Sequence, residues 1–269
     1  MSATTTRLRV LYADLDGTLV GPGGSLFSGP DGAPSGEAAE ALLRLRRAGV
    51  ELVLMSGRTR RGLREVARTL GAAACIAELG GVLVLADGTE IVDTGEAPPG
   101  VRPAAELTRS GAAALLLERY PRRLEAVAVE TEVSLMFRGS VDTDEVERVL
   151  RTAGFGWAAF VDNGLLRSRP PGLEVAEVHA YHLLPRGVSK ATGVGRHREL
   201  RGVRREETAA VGDSRADLDV RSEVGRLFLV RNGLAALGAE PPAEVEVTRG
   251  AYGTGFAEAV DALLGHRGR

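Results

Sequence analysis

Short apolar runs alternate with amphipathic stretches at both ends of the chain, and the middle follows a different rhythm. Arg7 to Ala13 is apolar and β-prone, and predicts a buried strand. It runs straight into Asp-Leu-Asp-Gly-Thr. Residues 21–36 are dense in Gly, Pro and Ser and predict a loop. Ser35 is placed to cap a helix whose apolar side is Ala38, Ala39, Leu42, Leu43 and Leu45, stopped by Gly49. Val50 to Met55 predicts a second strand, ending in Ser-Gly-Arg. Thr59 to Leu70 predicts a second helix, stopped by Gly71. Two strand–helix pairs within about 70 residues predict a parallel α/β sheet.

From residue 82 the pattern becomes mixed. Val82–Leu85 and Glu90–Val92, joined by Ala-Asp-Gly, predict a hairpin. Ala104 to Tyr120 is helical in pattern, Ala126 to Arg138 predicts a long strand, and Asp142 to Ala153 a helix. Val-Asp-Asn-Gly-Leu at 161–165 predicts another hairpin, and Leu173 to Leu184 a strand. The first rhythm then returns: helix over Lys190–Leu200, strands over Thr208–Val211 and Arg226–Val230, and a closing helix over Phe256–Leu264. The division predicted is a core formed by residues 1–82 and 185–269, with an α+β insertion over 83–184.

Composition narrows the function classes. A net charge of −2 gives no electrostatic case for nucleic acid or an anionic membrane as partner. The first residues hold no apolar core of signal length, and no run of about 18 apolar residues occurs. A cytoplasmic location is therefore the expectation. The single cysteine, Cys75, excludes an internal disulfide. One number stands out. Of the 34 basic residues other than histidine, 33 are arginine, and the one lysine is Lys190.

In parallel α/β sheets, ligands bind beyond the carboxyl ends of the strands. Polar residues collect at three such ends: Asp14 and Asp16, then Ser56, then Asp213 with Asp217 and Asp219 nearby. Two carboxylates two residues apart repel unless a cation or a shared proton relieves them. A bare Asp-x-Asp-Gly also suits a simple turn. A calcium loop does not fit, because Leu19 stands where it needs glycine and Ser25 where it needs glutamate. Hard oxygen ligands of this kind favour magnesium, completed by water and a substrate phosphate. Ser56 lacks the G-x-S-x-G setting of a hydrolase nucleophile, which leaves a phosphate-holding hydroxyl or a helix cap. Lys190, near the start of a helix, suits neutralisation of a carboxylate and a phosphate oxygen together; a surface lysine is the plain alternative.

Taken in order, these stretches resemble the haloacid dehalogenase superfamily of phosphotransferases. Its D-x-D-G-T matches Asp14–Thr18, its second-strand Ser or Thr matches Ser56, its lysine matches Lys190, and its G-D-x-x-x-D matches Gly212, Asp213 and Asp217. An insertion between the second and third motifs resembles the Cof-type subgroup. The resemblance implies a three-layer Rossmann-like parallel-sheet core with an inserted α+β cap domain. It implies a magnesium-dependent phosphatase acting on a small phosphate ester, a sugar phosphate or a phosphocarboxylate. Asp14 would be the nucleophile and Asp16 the general acid and base. The ion would be held by Asp14, the Asp16 carbonyl and Asp213, with Asp217 supporting. Ser56, Lys190 and backbone groups at Leu15, Asp16 and Gly57 would hold the phosphate beside Asp14. Arg58, Arg138, Arg167, His179 and His182 are the candidates to meet the rest of the substrate. A phosphomutase of the phosphomannomutase type needs the same motifs, and a non-catalytic binding protein could share the fold. The sequence departs from the subgroup at Leu79, where an amide is usual, and at Ala216, in place of asparagine. It leaves the oligomeric state open.

Overall fold

The computed structural model describes residues 7–166 and 170–265. Among these residues an eight-stranded sheet and a four-stranded sheet form, with no helix long and apolar enough to cross a membrane. In chain order the first part contains β1 (Val10–Asp14), α1 (Glu37–Arg47), β2 (Glu51–Met55), α2 (Arg60–Leu70), β3 (Ala74–Ala77), β4 (Val82–Leu85) and β5 (Glu90–Val92). The inserted part contains α3 (Pro103–Arg109), α4 (Ala112–Arg119), β6 (Leu124–Ala126), β7 (Leu135–Gly139), α5 (Thr143–Thr152), β8 (Ala158–Leu166) and β9 (Val178–Pro185). The last part contains α6 (Lys190–Leu200), β10 (Thr208–Gly212), α7 (Arg215–Leu218), β11 (Arg226–Leu229), α8 (Gly233–Leu237), β12 (Val245–Val247) and α9 (Tyr252–Leu264).

The large sheet runs β12-β11-β10-β1-β2-β3-β4-β5, parallel as far as β3 and antiparallel from there to β5. Side chains of a strand alternate between faces, and β1 shows the consequence. Leu11 and Ala13 pack with Ala41, Leu63 and Phe256 from α1, α2 and α9. Val10 and Tyr12 pack with Val194 and Leu237 from α6 and α8 on the opposite side. The result is a three-layer sandwich whose strands are buried on both faces, as a parallel sheet requires. The chain leaves β1 toward β2 on one side and returns to β10 on the other. The carboxyl end of β1 is therefore the topological switch point where such sheets bind ligands.

The small sheet, β6-β7-β9-β8, is antiparallel throughout. One face carries Phe137, Phe160, Tyr181 and Leu183 against Leu107, Leu116 and Leu150 of α3–α5. Cross-strand partners share a face, so Met136, His182 and Val161 lie on the other one. That face turns to the large domain, where Val161, Leu184 and the loop residue Val133 join the core.

Several expected elements differ. The hairpin β4–β5 belongs to the large sheet, not to the insertion, so a boundary at residue 83 falls too early. A hairpin signal reports pairing within the hairpin and not which sheet its outer edge joins; β4 pairs with β3. The helix expected over 104–120 breaks at Gly111, whose φ of +89° does not suit a right-handed helix. The long strand over 126–138 is two strands joined by a loop. The hairpin expected at 161–165 is a bulge within β8, where the register shifts between Asp162 and Leu165. Strands β3 and β12 were not anticipated. Each is short, and apolar period alone does not separate such runs from loops.

Beneath the switch point Tyr12 Oη meets His197 Nδ1 at 2.9 Å, with the rings edge to face. Burial lowers the His197 pKa to about 4. An unfolded histidine takes its proton near pH 6.5, before the folded one does, so stability is lost as pH falls from that value toward 4. We predict that His197→Gln flattens the fall in unfolding free energy between pH 6 and pH 5 by about 1 kcal/mol. Denaturant titrations at the two pH values check this; an unchanged slope contradicts it.

Candidate active site

Asp14 is the last residue of β1. The chain turns away at Gly17, where φ is +92° and an added Cβ would lie 2.2 Å from Asp213 Oδ2. Only glycine serves there, on both counts. Asp213 itself follows β10, which lies next to β1. Thr18 donates a long hydrogen bond of 3.4 Å to Asp213 Oδ1. Asp217 folds back from α7, and its Oδ2 accepts from the Asp213 and Ser214 N–H groups and, at 2.6 Å, from the Ser214 hydroxyl.

Lys190 enters from a third direction as the first residue of α6. Ser189 caps that helix through a reciprocal bond pair with Thr192. The helix start is seated on the turn after β3, since a Cβ on Gly80 would lie 1.8 Å from the Ser189 carbonyl oxygen. The lysine side chain is 1% exposed, and its Nζ donates at 2.7 Å to both Asp14 Oδ1 and Asp217 Oδ1. A compact ammonium can serve two carboxylates at this depth. A broad, planar guanidinium is a different shape.

The electrostatics follow from this crowding. Burial opposes the charge on Lys190, but Asp14 and Asp217 outweigh it and hold its pKa above the ordinary lysine value. Burial raises the Asp14 pKa; Lys190 pulls it back, and Asp217 adds to the rise. Burial, then Asp14 and Asp217, raises that of Asp213 as well. One oxygen each from Asp14, Asp213 and Asp217 lies within 4.8 Å of the others. Three carboxylates and one ammonium leave two negative charges, the amount one divalent cation cancels. The donor atoms fit such an ion. Asp14 Oδ2 is buried with no hydrogen-bond partner among the described residues, and Asp213 has only long bonds. Asp217 is different, because both its oxygens are already engaged. It positions Lys190 and the 213–214 backbone rather than offering a free ligand atom.

The other expected residues fall at different places. Ser56 is buried one residue beyond Met55, the sheet partner of Asp14, and its hydroxyl accepts from the Arg58 N–H at 3.1 Å. Gly57 lies under the inserted unit: a Cβ there would lie 2.5 Å from Asn163 Nδ2 and 2.8 Å from His182 Nε2. Arg58 does not reach outward for substrate. Its guanidinium grips Asp16 through two bonds of 2.7 and 2.6 Å. Arg138 is paired with Glu125. His179 lies with Asp162, 2.8 Å away, and stacks on Tyr181. It therefore sits on the helix-covered face of β9, opposite His182. The two histidines are three positions apart, and an odd spacing in a strand divides them between faces. Arg167 lies outside the described residues.

Two residues were missed. Asn232, after β11, donates from Nδ2 to the Gly17 carbonyl at 2.8 Å and accepts the Tyr252 N–H at 2.8 Å, so it pins the turn beside Asp14. Its signal was an amide at a strand end, next to Gly233. Glu78 is buried in the turn after β3, with φ of +52°, followed by Leu79 at +56°. Such left-handed residues are strained by about 1 kcal/mol or more each. The Glu78 carboxylate accepts the N–H groups of Glu132 (3.1 Å), Val133 (2.9 Å) and Ser134 (3.2 Å). One core carboxylate thereby ties down the β6–β7 loop of the inserted unit. The Leu79 side chain, expected to weaken a polar contact, packs instead into the core.

Comparison with known proteins agrees with this geometry. The sequence profile of the haloacid dehalogenase-like hydrolases matches residues 11–99. A phosphoglycolate phosphatase of Metallosphaera sedula is 28% identical over 260 residues, covering 96% of this chain and 99% of that one. A phosphoglycolate phosphatase of Natronomonas pharaonis is 37% identical over 98 residues, 36% of this chain and 42% of that one. Among solved structures, a phosphatase of the haloacid dehalogenase superfamily from Bacteroides thetaiotaomicron superposes with a TM-score of 0.67 at 18% identity, over 98% of this chain and 97% of that one. The sucrose-phosphatase of Synechocystis superposes at 0.62 and 15% identity, over 96% and 98%. Over residues 11–99 the chain therefore carries the pattern of the haloacid dehalogenase-like hydrolases, and along its whole length it resembles proteins of that superfamily.

The Glu78 anchor yields a prediction. Glu78→Ala strands two buried N–H groups and one part-buried one and should cost about 3 kcal/mol of stability, and Glu78→Gln, which keeps an acceptor, about 1 kcal/mol. Denaturant unfolding checks the order; an unchanged midpoint in Glu78→Ala contradicts it.

Proposed function

We propose that the protein is a magnesium-dependent phosphatase that hydrolyses a small phosphorylated acid through an aspartyl-phosphate. The observation carrying this reading is the Lys190 ammonium, bonded at 2.7 Å to Asp14 and Asp217 beside an unpartnered Asp14 oxygen. A lysine bonded to two buried carboxylates, with a third beside them, holds more charge than a structural ion pair needs. The names of the relatives favour a phosphocarboxylate over a sugar phosphate.

Asp14 and Asp213 would hold the ion, which when bound offsets negative charge on the phosphate and the carboxylates. Lys190 keeps the Asp14 carboxylate oriented and neutralises a phosphate oxygen at the same time. An Asp14 oxygen attacks phosphorus, and the bond from phosphorus to the substrate oxygen breaks. Asp16 gives its proton to that leaving oxygen. It then takes a proton from water, whose oxygen attacks the aspartyl-phosphate, releasing phosphate and restoring Asp14. A protonated acid does not suit a guanidinium fork, so Asp16 acts after leaving Arg58. Its side chain is 48% exposed and has room to turn. Ser56 and the N–H groups near Leu15, Asp16 and Gly57 would steady the remaining phosphate oxygens. The four-stranded unit acts as the cap over this rim.

Phosphate release from a panel of phosphorylated metabolites with magnesium tests the proposal. Asp14→Asn should abolish release. Lys190→Arg should lower turnover by about two to three orders of magnitude, the usual cost of removing one such contact. Release that survives Asp14→Asn, or near-normal turnover in Lys190→Arg, overturns it.

A further inference from the structure

The inserted unit brings polar groups to the rim that the chemistry above does not use. His182 is fully buried on the core-facing side of β9. Its Nδ1 lies 3.1 Å from Ser134 Oγ, and its Nε2 is buried with no hydrogen-bond partner among the described residues. The β8 bulge displaces Asn163 from the regular ladder, and its Nδ2 reaches the same flank of Gly57 as His182 Nε2. Bulges beside active sites commonly re-aim a side chain in this way.

The tautomer of His182 follows from Ser134. That serine is fully buried, and His182 Nδ1 is the hydrogen-bond partner of its hydroxyl. Its own N–H is taken up by Glu78. If Nδ1 donated, the serine proton would be stranded, at a cost of about 1–3 kcal/mol. The hydroxyl therefore donates to Nδ1, and the imidazole proton sits on Nε2. Burial, with the nearby Lys190 charge adding to it, lowers the His182 pKa to about 4, so the ring is neutral near pH 7.

We infer that His182 Nε2–H and the Asn163 amide are the donors that recognise the carboxylate of the substrate, with Ser134 fixing the imidazole in the donating tautomer. This rests on the phosphatase reading and adds the residues that select the substrate. Two N–H donors side by side suit an anionic oxygen. The two nitrogens abut Gly57, next to the phosphate-holding Ser56, so the carboxylate lies a short chain away from the phosphorus. His182 Nε2 is buried here, and Asn163 is partly buried beside it on the flank of Gly57. Ser134 is a positioning residue, because it acts only through the ring.

Phosphoglycolate and 2-hydroxyethyl phosphate, which differ at the terminal carboxylate, provide the test. The wild-type protein should prefer phosphoglycolate in kcat/KM. In His182→Gln and in Asn163→Ala that preference should fall about tenfold to a hundredfold, mostly through KM, as expected for a hydrogen bond to a charged group. Asn163 is only partly buried, so Asn163→Ala carries the test even if His182→Gln fails to fold. Nitrogen-15 NMR should find the His182 proton on Nε2 in the wild type and a mixture of tautomers in Ser134→Ala. A preference unchanged in Asn163→Ala, or a wild-type proton on Nδ1, overturns the inference. Wild-type release from 2-hydroxyethyl phosphate with no preference for phosphoglycolate overturns it while leaving the phosphatase reading intact. Release from neither ester overturns both.

Discussion

A single ammonium held between two buried carboxylates organises this molecule. Lys190 is the only lysine in the chain and among its most deeply buried side chains. Burying an unpaired charge costs several kcal/mol, so the fold must deliver its partners reliably. It does so with three separate segments. The end of β1 supplies Asp14, the turn after β10 supplies Asp217, and the start of α6 supplies the lysine itself. Close backbone packing sets the register of these segments. Gly17 admits Asp213, Gly80 admits the Ser189 carbonyl, and Gly212 admits Asp217. A side chain at any of the three would push the charges apart.

The pair alone does not balance the site. Asp213 adds a further carboxylate, and its pKa and that of Asp14 rise above the ordinary range because burial and mutual repulsion both oppose ionisation. A divalent cation relieves both effects. The same logic extends to the junction with the inserted unit. There Glu78 collects three backbone N–H groups, and His182 keeps a neutral ring on the face turned to the core. Among the described residues, Asp14 Oδ2 at the end of β1 and His182 Nε2 at the junction are buried with no hydrogen-bond partner.

The sequence made the rim legible because each contributor stands at the end of an apolar run, and parallel strands deliver their carboxyl ends to one edge. Asp14, Ser56 and Asp213 could be placed on that basis alone, and the isolated lysine marked the fourth position. The parallel α/β sheet was legible for the same reason, while its three-layer form was an expectation that the family resemblance implied. What stayed hidden depends on contacts made across the fold. Glu78 looked like one acid among many, and nothing local tells that its carboxylate closes on residues 132–134. Asn163 gained its position from a bulge, which the sequence pattern presented as a hairpin. The hairpin β4–β5 was recognised as an element but not assigned to its sheet, since pairing partners for an outer edge are set by the whole topology. Arg58 was expected to face substrate, and the fork it makes with Asp16 is a tertiary pairing that spacing cannot show. The separation of His179 from His182, in contrast, was readable from their odd spacing on one strand.

Calorimetric titration of magnesium into the wild-type protein and into Asp213→Asn measures the central balance directly. The account predicts about one ion bound per wild-type chain, and an affinity at least about tenfold weaker when Asp213 loses its charge, because a hard divalent cation depends on carboxylate ligands. Equal affinity in the two proteins, or no binding to either, would contradict the claim that this cluster of buried carboxylates around Lys190 is built to hold a divalent cation.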